Sequence, residues 1–181
     1  SLACRMIPIA DGTDLGGSLR NPANFNNVVG LRPSPGRVPS VAPLGWSTLS
    51  VTGPMARTVE DLALHLSAIS GPDNRSPISI EQSGQTFAEP LKRDFSRVRI
   101  AYVPDLGGLP VDPKIAAVIG TSAGILESVG CIIDEAAPDF SYADEVFKTL
   151  RAWGSASVRS KLLEQHRDLI KGTVIGEIEK G

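Results

Sequence analysis

The residues from Asp11 to Ala23, Asp-Gly-Thr-Asp-Leu-Gly-Gly-Ser-Leu-Arg-Asn-Pro-Ala, bring two hydroxyls, two carboxylates, a guanidinium and three glycines together with little that could pack in a core. Ser18 directly follows Gly16 and Gly17. A serine on a glycine turn can present its oxygen as a nucleophile while neighbouring backbone N–H groups face the oxyanion formed by its attack on a carbonyl. Glycine loops also cradle phosphates or simply turn the chain. Spacing alone does not choose between these. A phosphate site would call for a base after the glycines at a helix N-terminus; Arg20 half-fits, whereas Asp11 and Asp14 repel phosphate.

A reactive turn has to be delivered by regular structure. Ile7 to Ala10 is a short apolar run that predicts a strand entering the turn, with Ser1 to Met6 read as the end of a small-residue helix. Pro22 biases Asn21 away from the α region, so the chain leaves the turn extended or starts a short turn with Pro22 at its first position. Gly30, Pro33, Pro35, Gly36 and Pro39 predict bends and edge strands from Asn24 to Pro43. Within 44–52, Trp46 and Leu44 suit the wall of a pocket, and Trp46 equally suits a packed corner. Thr58 and Asp61 have capping-box spacing, and Leu62, Leu66 and Ile69 recur on one helical face until Gly71 and Pro72. His65 lies inside that helix and reads as structural.

Residues 72–94 follow neither hydrophobic period and read as a linker-like surface segment between an active-site-loop half, 1–71, and a second half, 95–181. In that second half Val98 to Val103 and Cys131 to Asp134 predict strands. Asp112 is a good N-cap with Pro113 behind it, and Ile115, Val118, Ile119, Ile125, Leu126 and Val129 mark a helix ending at Gly130. Strand, helix, strand predicts a parallel pair joined by a right-handed crossover. Gly107 and Gly108 follow the first strand where a nucleotide loop would lie, but an isolated glycine pair is a weak signal. Phe140 to Ala156 and Ala156 to Ile170 read as two amphipathic helices. Lys161, Glu164, His166, Arg167 and Asp168 form a solvated face on the second.

Composition narrows the class further. Hydrophobic residues at 41% and charged residues at 21% fit a soluble globular chain, and a formal net charge of -2 argues against broad attraction to nucleic acid or anionic membrane. Two cysteines, Cys4 and Cys131, are too few for a disulfide framework and predict free thiols in a cytoplasmic protein. No stretch is long and apolar enough to span a bilayer. No metal-ligand spacing or cofactor motif is present, so none is expected. A start without methionine, in a sequence that reads like the middle of a domain, predicts that this is an internal part of a longer chain.

Three ordered blocks carry a resemblance: Gly-Thr-Asp-Leu-Gly-Gly-Ser-Leu-Arg-Asn-Pro-Ala at 12–23, Val-Gly-Leu-Arg-Pro-Ser-Pro-Gly-Arg-Val at 29–38, and Gly-Pro-Met-Ala-Arg-Thr-Val-Glu-Asp at 53–61. Together they resemble the amidase signature family, whose members cleave or transfer amides through a Ser, cis-Ser and Lys triad. The resemblance implies an α/β fold in which this chain forms part of a mixed β-sheet core flanked by helices on both faces, all 1–181 belonging to the central portion of a single amidase domain. It implies Ser18 as nucleophile and the backbone N–H groups of Leu15, Gly16, Gly17 and Ser18 as oxyanion hole. Thr13, Asp14 and Arg20 would hold the loop in shape.

The family's lysine and cis-serine block lie further upstream than residue 1, and none of the six lysines stands in a matching context. The chain by itself is therefore expected to be inactive or nearly so. Leu31-Arg-Pro-Ser departs from the family's frequent Lys-Pro-Thr, a change expected to matter little in a structural turn. The implied substrate is a small-molecule amide, with no nucleic-acid or membrane partner and with homo-oligomerisation left open. Alternatives are the glutaminase subunit of an aminoacyl-tRNA amidotransferase and a non-catalytic binding module that keeps the fold.

Overall fold

In a computed structural model, described for residues 1–41 and 45–181, the first regular element is strand β1, Ile9–Asp14. It continues past Ala10 into what the sequence reads as loop, because each of its residues pairs with strand β3, Val51–Ala56, in an antiparallel ladder from Ile9↔Ala56 to Asp14↔Val51. Helix α1, Arg20–Phe25, follows the turn, and Pro22 sits in its first turn, where backbone N–H groups lack intrahelical acceptors anyway. Strand β2, Val29–Gly30, then pairs with the other edge of β3, giving the order β1-β3-β2. Proline is uncommon in a central strand. Pro54 is tolerated there because its carbonyl accepts the Leu31 N–H at 3.1 Å, just past the end of β2, so the missing donor falls outside the ladder.

Helix α2, Val59–Ile69, starts as its sequence predicts: Thr58 Oγ1 accepts the Asp61 N–H at 3.1 Å, while Glu60 and Asp61 place negative charge in the first turn. Its buried stripe includes Leu62 and Leu66. His65 is also buried, and its Nδ1 has no hydrogen-bond partner among the described residues. A 3₁₀ turn at Gly84–Phe87 packs on the end of this helix. The expected helix over Ser1 to Met6 is instead a series of turns. Arg5 takes φ 59°, and Arg57 Nη1 donates to the carbonyls of Leu2 at 3.1 Å and Ile7 at 2.9 Å. A tertiary donor thus satisfies backbone groups that local propensity would have given to a helix.

The chain forms two compact units, residues 1–91 with 150–181, and residues 92–149. The second holds strand β4, Arg99–Tyr102, helix α3, Pro113–Ser128, and strand β5, Ile132–Glu135. β4 and β5 pair in parallel from Arg99↔Ile132 to Tyr102↔Glu135, and the Asp112 carboxylate caps α3 through the Lys114 N–H at 2.8 Å. Cys131 is buried here, whereas Ile115, Val118, Ile119 and Ile125 of α3 are exposed. Helix α4, Ala143–His166, is one continuous element where the sequence suggests two. A change in hydrophobic period at Ala156 is not a break, since no proline interrupts the ladder there and Ser160 Oγ simply bonds back to the Ala156 carbonyl at 2.5 Å. Helix α5, Gly172–Ile178, returns beside it, with Arg151 Nε 2.8 Å from Glu177 Oε2. Parallel and antiparallel pairing thus both occur, in separate sheets, among helices that make the fold α/β.

Candidate active site

β1 ends at Asp14, and Asp14 organises the turn beyond it. Its carboxylate is wholly buried. Oδ1 accepts the Gly17 N–H at 2.8 Å and Arg20 Nη2 at 3.0 Å, and Oδ2 accepts Arg20 Nε at 2.8 Å. Longer contacts of 3.4 Å come from the Leu19 and Arg20 N–H groups at the start of α1. Leu19, the residue before that helix, offers no side-chain cap, so a carboxylate several positions upstream substitutes for one. The two-pronged contact from Arg20 is the geometry in which guanidinium and carboxylate bind most strongly.

A second guanidinium reaches the same carboxylate. Arg32 Nη1 lies 3.3 Å from Asp14 Oδ1 and also donates to the Asp14 carbonyl, while Nη2 donates to the Leu49 carbonyl at 2.9 Å. Arg32 therefore ties the turn to the segment leading into β3. The Arg20 guanidinium, hydrogen-bonded to Asp14, holds its carboxyl well below the ordinary 3.8. Burial works against this lowering, and the N–H groups of Gly17 and Arg20 add to it.

The turn above this anchor is tight. Gly17 has φ 111°, and a Cβ there would stand 2.8 Å from Asn21 Nδ2. Glycine meets both demands. Leu19 is fully buried beneath the turn, while Leu15, Gly16 and Ser18 are exposed. These three, with Thr13, line a cleft of about 1210 Å³ within the first unit, whose opposite walls include residues of α4 and α5. Among the described residues, the N–H groups of Leu15, Gly16 and Ser18 and the Ser18 hydroxyl have no protein partner. The Gly17 N–H is different, being committed to Asp14. Trp46 is 77% exposed, so it is not a packed corner; Gly45 and Ser47 beside it line the cleft, and Leu44 lies outside the described residues.

A buried carboxylate that braces a Gly-Gly-Ser turn over a cleft is the local arrangement. The family model described as Amidase matches residues 1–178. This chain belongs to the amidase family. An acylamidase from Rhodococcus erythropolis is 37% identical over 146 residues, covering 80% of this chain and 31% of that protein. A glutamyl-tRNA(Gln) amidotransferase subunit from Pseudomonas entomophila is 36% identical over 136 residues, covering 75% of this chain and 28% of that one. A bacterial aryl acylamidase of the amidase signature enzymes superposes with a TM-score of 0.85 at 26% identity, covering 98% of this chain and 39% of the solved one. The chain thus spans about 30% of the curated relatives it matches.

Within this amidase chain, Thr13, Leu15, Gly16 and Ser18 come together on the cleft, while Asp14, Gly17 and Arg20 form its support. Sequence reasoning missed Arg32 and the cleft walls contributed by α4 and α5. The signal for Arg32 was present, in a charged residue set between Leu31 and Pro33 in an otherwise apolar edge segment, but its partner lies 18 residues away. Among the described residues, no cluster of His, Cys, Asp or Glu could hold a metal ion, and no helix is long and apolar enough to cross a membrane.

Proposed function

We propose that the longer protein containing this chain hydrolyses a carboxylic amide through an acyl-enzyme on Ser18. The observation that carries this reading is the placement of Ser18 on the cleft beside the N–H groups of Leu15 and Gly16, above a turn fixed by Asp14. Ser18 Oγ attacks the amide carbonyl, and the carbonyl oxygen becomes an oxyanion that accepts backbone N–H bonds. Collapse expels the amine with a proton, and water then releases the acid from the ester. Because the Gly17 N–H already serves Asp14, the donors in this scheme are Leu15, Gly16 and Ser18. Each well-placed donor would contribute about 3 to 4 kcal/mol to the transition state.

Arg20 has both working nitrogens on Asp14, which supports a role for this pair in holding the loop, whereas Thr13 lies on the cleft. The base that takes the Ser18 proton and the acid that meets the amine are assigned, through the family resemblance, to a lysine and a cis-serine outside this chain. Without them Ser18 is a weak nucleophile at neutral pH, so the 181-residue chain alone is expected to be inactive or nearly so. A cytoplasmic location fits its two free cysteines.

The likeness to a glutamyl-tRNA(Gln) amidotransferase subunit supports a second reading, in which the same chemistry releases ammonia from glutamine for transfer within a complex that includes protein and tRNA partners. Turnover of simple amides by the purified longer protein, lost by about a thousandfold or more in Ser18→Ala, supports the first reading. Turnover confined to glutamine supports the second. Absence of both, with the longer protein folded, leaves a non-catalytic module. Amide turnover by the 181-residue chain that disappears in Ser18→Ala would refute the division of the triad.

A further inference from the structure

The Arg32 guanidinium holds backbone as well as carboxylate. Its Nη1 lies 3.3 Å from Asp14 Oδ1, a longer contact than the 2.8 and 3.0 Å that Arg20 makes to the same carboxylate. Its other two contacts go to carbonyls: Nη1 donates to that of Asp14, and Nη2 to that of Leu49 at 2.9 Å. The Asp14 carbonyl shares a peptide unit with the Leu15 N–H. That peptide is trans, so the C=O and N–H bonds point in opposite directions in one plane. A donor that fixes the carbonyl therefore turns the Leu15 N–H the other way. Leu15 lines the cleft, and its N–H has no protein partner among the described residues. Pairing of β1 with β3 stops at Asp14, so Leu15 has no place in that ladder. Arg32 itself does not line the cleft, and its backbone is anchored. The Leu31 N–H donates to the Pro54 carbonyl at 3.1 Å, Pro33 biases Arg32 to extended backbone, and a Cβ on Gly53 of β3 would stand 2.7 Å from Pro33 Cδ.

We propose that Arg32 is a positioning residue for the oxyanion hole: by holding the Asp14 carbonyl it aims the Leu15 N–H at the oxygen on which charge develops when Ser18 attacks. The proposal rests on the reading of Ser18 as nucleophile and adds a residue that sets the rate without touching the substrate. Arg32 keeps its proton and its charge throughout. Without its donors the Asp14–Leu15 peptide is free to rotate about the bonds on either side, and the Leu15 N–H leaves the cleft. That loss is felt in the transition state and hardly in the bound ground state, because the full oxyanion exists only in the former.

The test follows the kinetics of fluorophosphonate labelling of Ser18 in the longer protein containing this chain. Attack on phosphorus also places negative charge on an oxygen that the hole must receive. Arg32→Met removes the donors and keeps a long side chain. It should lower the maximal labelling rate about a hundredfold, the effect of losing one such donor, and leave the half-saturating probe concentration within about twofold of wild type. The final extent of labelling should stay complete, which a merely unfolded fraction would not allow. Arg32→Lys keeps one donor for the Asp14 carbonyl and should recover the rate to within about tenfold of wild type. Circular dichroism reports folding; if Arg32→Met does not fold, Arg32→Gln, polar but too short to reach the carbonyl, takes its place with the same expected loss. An unchanged maximal rate, a loss confined to the half-saturating concentration or to the final extent, or an Arg32→Lys protein as slow as Arg32→Met would overturn the proposal. Failure of wild type to be labelled at Ser18 would overturn the nucleophile reading and this proposal with it, whereas normal labelling of Ser18 in both Arg32 variants removes Arg32 alone.

Discussion

Replacing Asp14 with Asn tests whether the turn is held by charge. The side chain keeps its shape, but one oxygen becomes an NH₂ that faces guanidinium donors. Asp14 is wholly buried, and four short contacts depend on its carboxylate: Gly17 N–H, Arg20 Nε, Arg20 Nη2 and Arg32 Nη1, between 2.8 and 3.3 Å. Removing one partner of a buried ion pair costs about 3 to 5 kcal/mol. Arg20 is 53% exposed and can return to water, which puts the expected loss near the lower end, about 3 kcal/mol. Urea unfolding followed by circular dichroism near neutral pH measures it; a loss below about 1 kcal/mol would refute the buried anchor.

The same pair of proteins has a pH signature. Asp14 titrates below its ordinary 3.8 in the folded chain, so its contribution is complete above 3.8 and disappears as pH falls through the depressed folded value. The stability gap between wild type and Asp14→Asn should therefore narrow as pH drops below 3.8. A gap that stays constant through that range would mean that the loss arises from shape and not from charge.

Arg32→Lys should destabilise the chain by about 1 to 2 kcal/mol in the same unfolding assay, because one ammonium cannot bridge Asp14 and the Leu49 carbonyl as the two guanidinium nitrogens do. No change would show that the Leu49 contact is dispensable. Gly17→Ala should cost about 1 to 3 kcal/mol through its φ of 111° and the nearby Asn21 amide, visible as a lower urea midpoint. Wild-type stability in that variant would mean that the turn has another low-energy conformation.

What could be read from the sequence was what depends on near neighbours. Thr58 and Asp61 announced the start of α2, and Asp112 with Pro113 announced α3, because a cap is formed within a few residues of itself. The β4 and β5 strands were legible for a similar reason, since their β-branched runs are bounded by turn residues. Where a distant partner decides the conformation, local reading failed. β1 extends to Asp14 because β3 pairs with it, and Ser1 to Met6 is not helical where Arg57 takes up the carbonyls of Leu2 and Ile7.

The candidate site divides along the same line. Ser18 and its glycines could be located from spacing and resemblance, and Asp14 and Arg20 meet across a single turn. The contact between Arg32 and Asp14 spans 18 residues, and the cleft that Ser18 lines takes walls from α4 and α5 at the far end of the chain. The apolar positions of α3 were legible as a stripe, yet Val118 is 67% exposed, since periodicity marks a face suited to burial without naming what covers it.

Covalent labelling tests the central claim most directly. A fluorophosphonate reacts with an activated serine, so the longer protein containing this chain should carry the adduct on the peptide holding Ser18, identified by mass spectrometry, and should lose it in Ser18→Ala. Labelling that persists in that variant, or that maps to another residue while Ser18 stays unmodified, would contradict the assignment of Ser18 as the nucleophile.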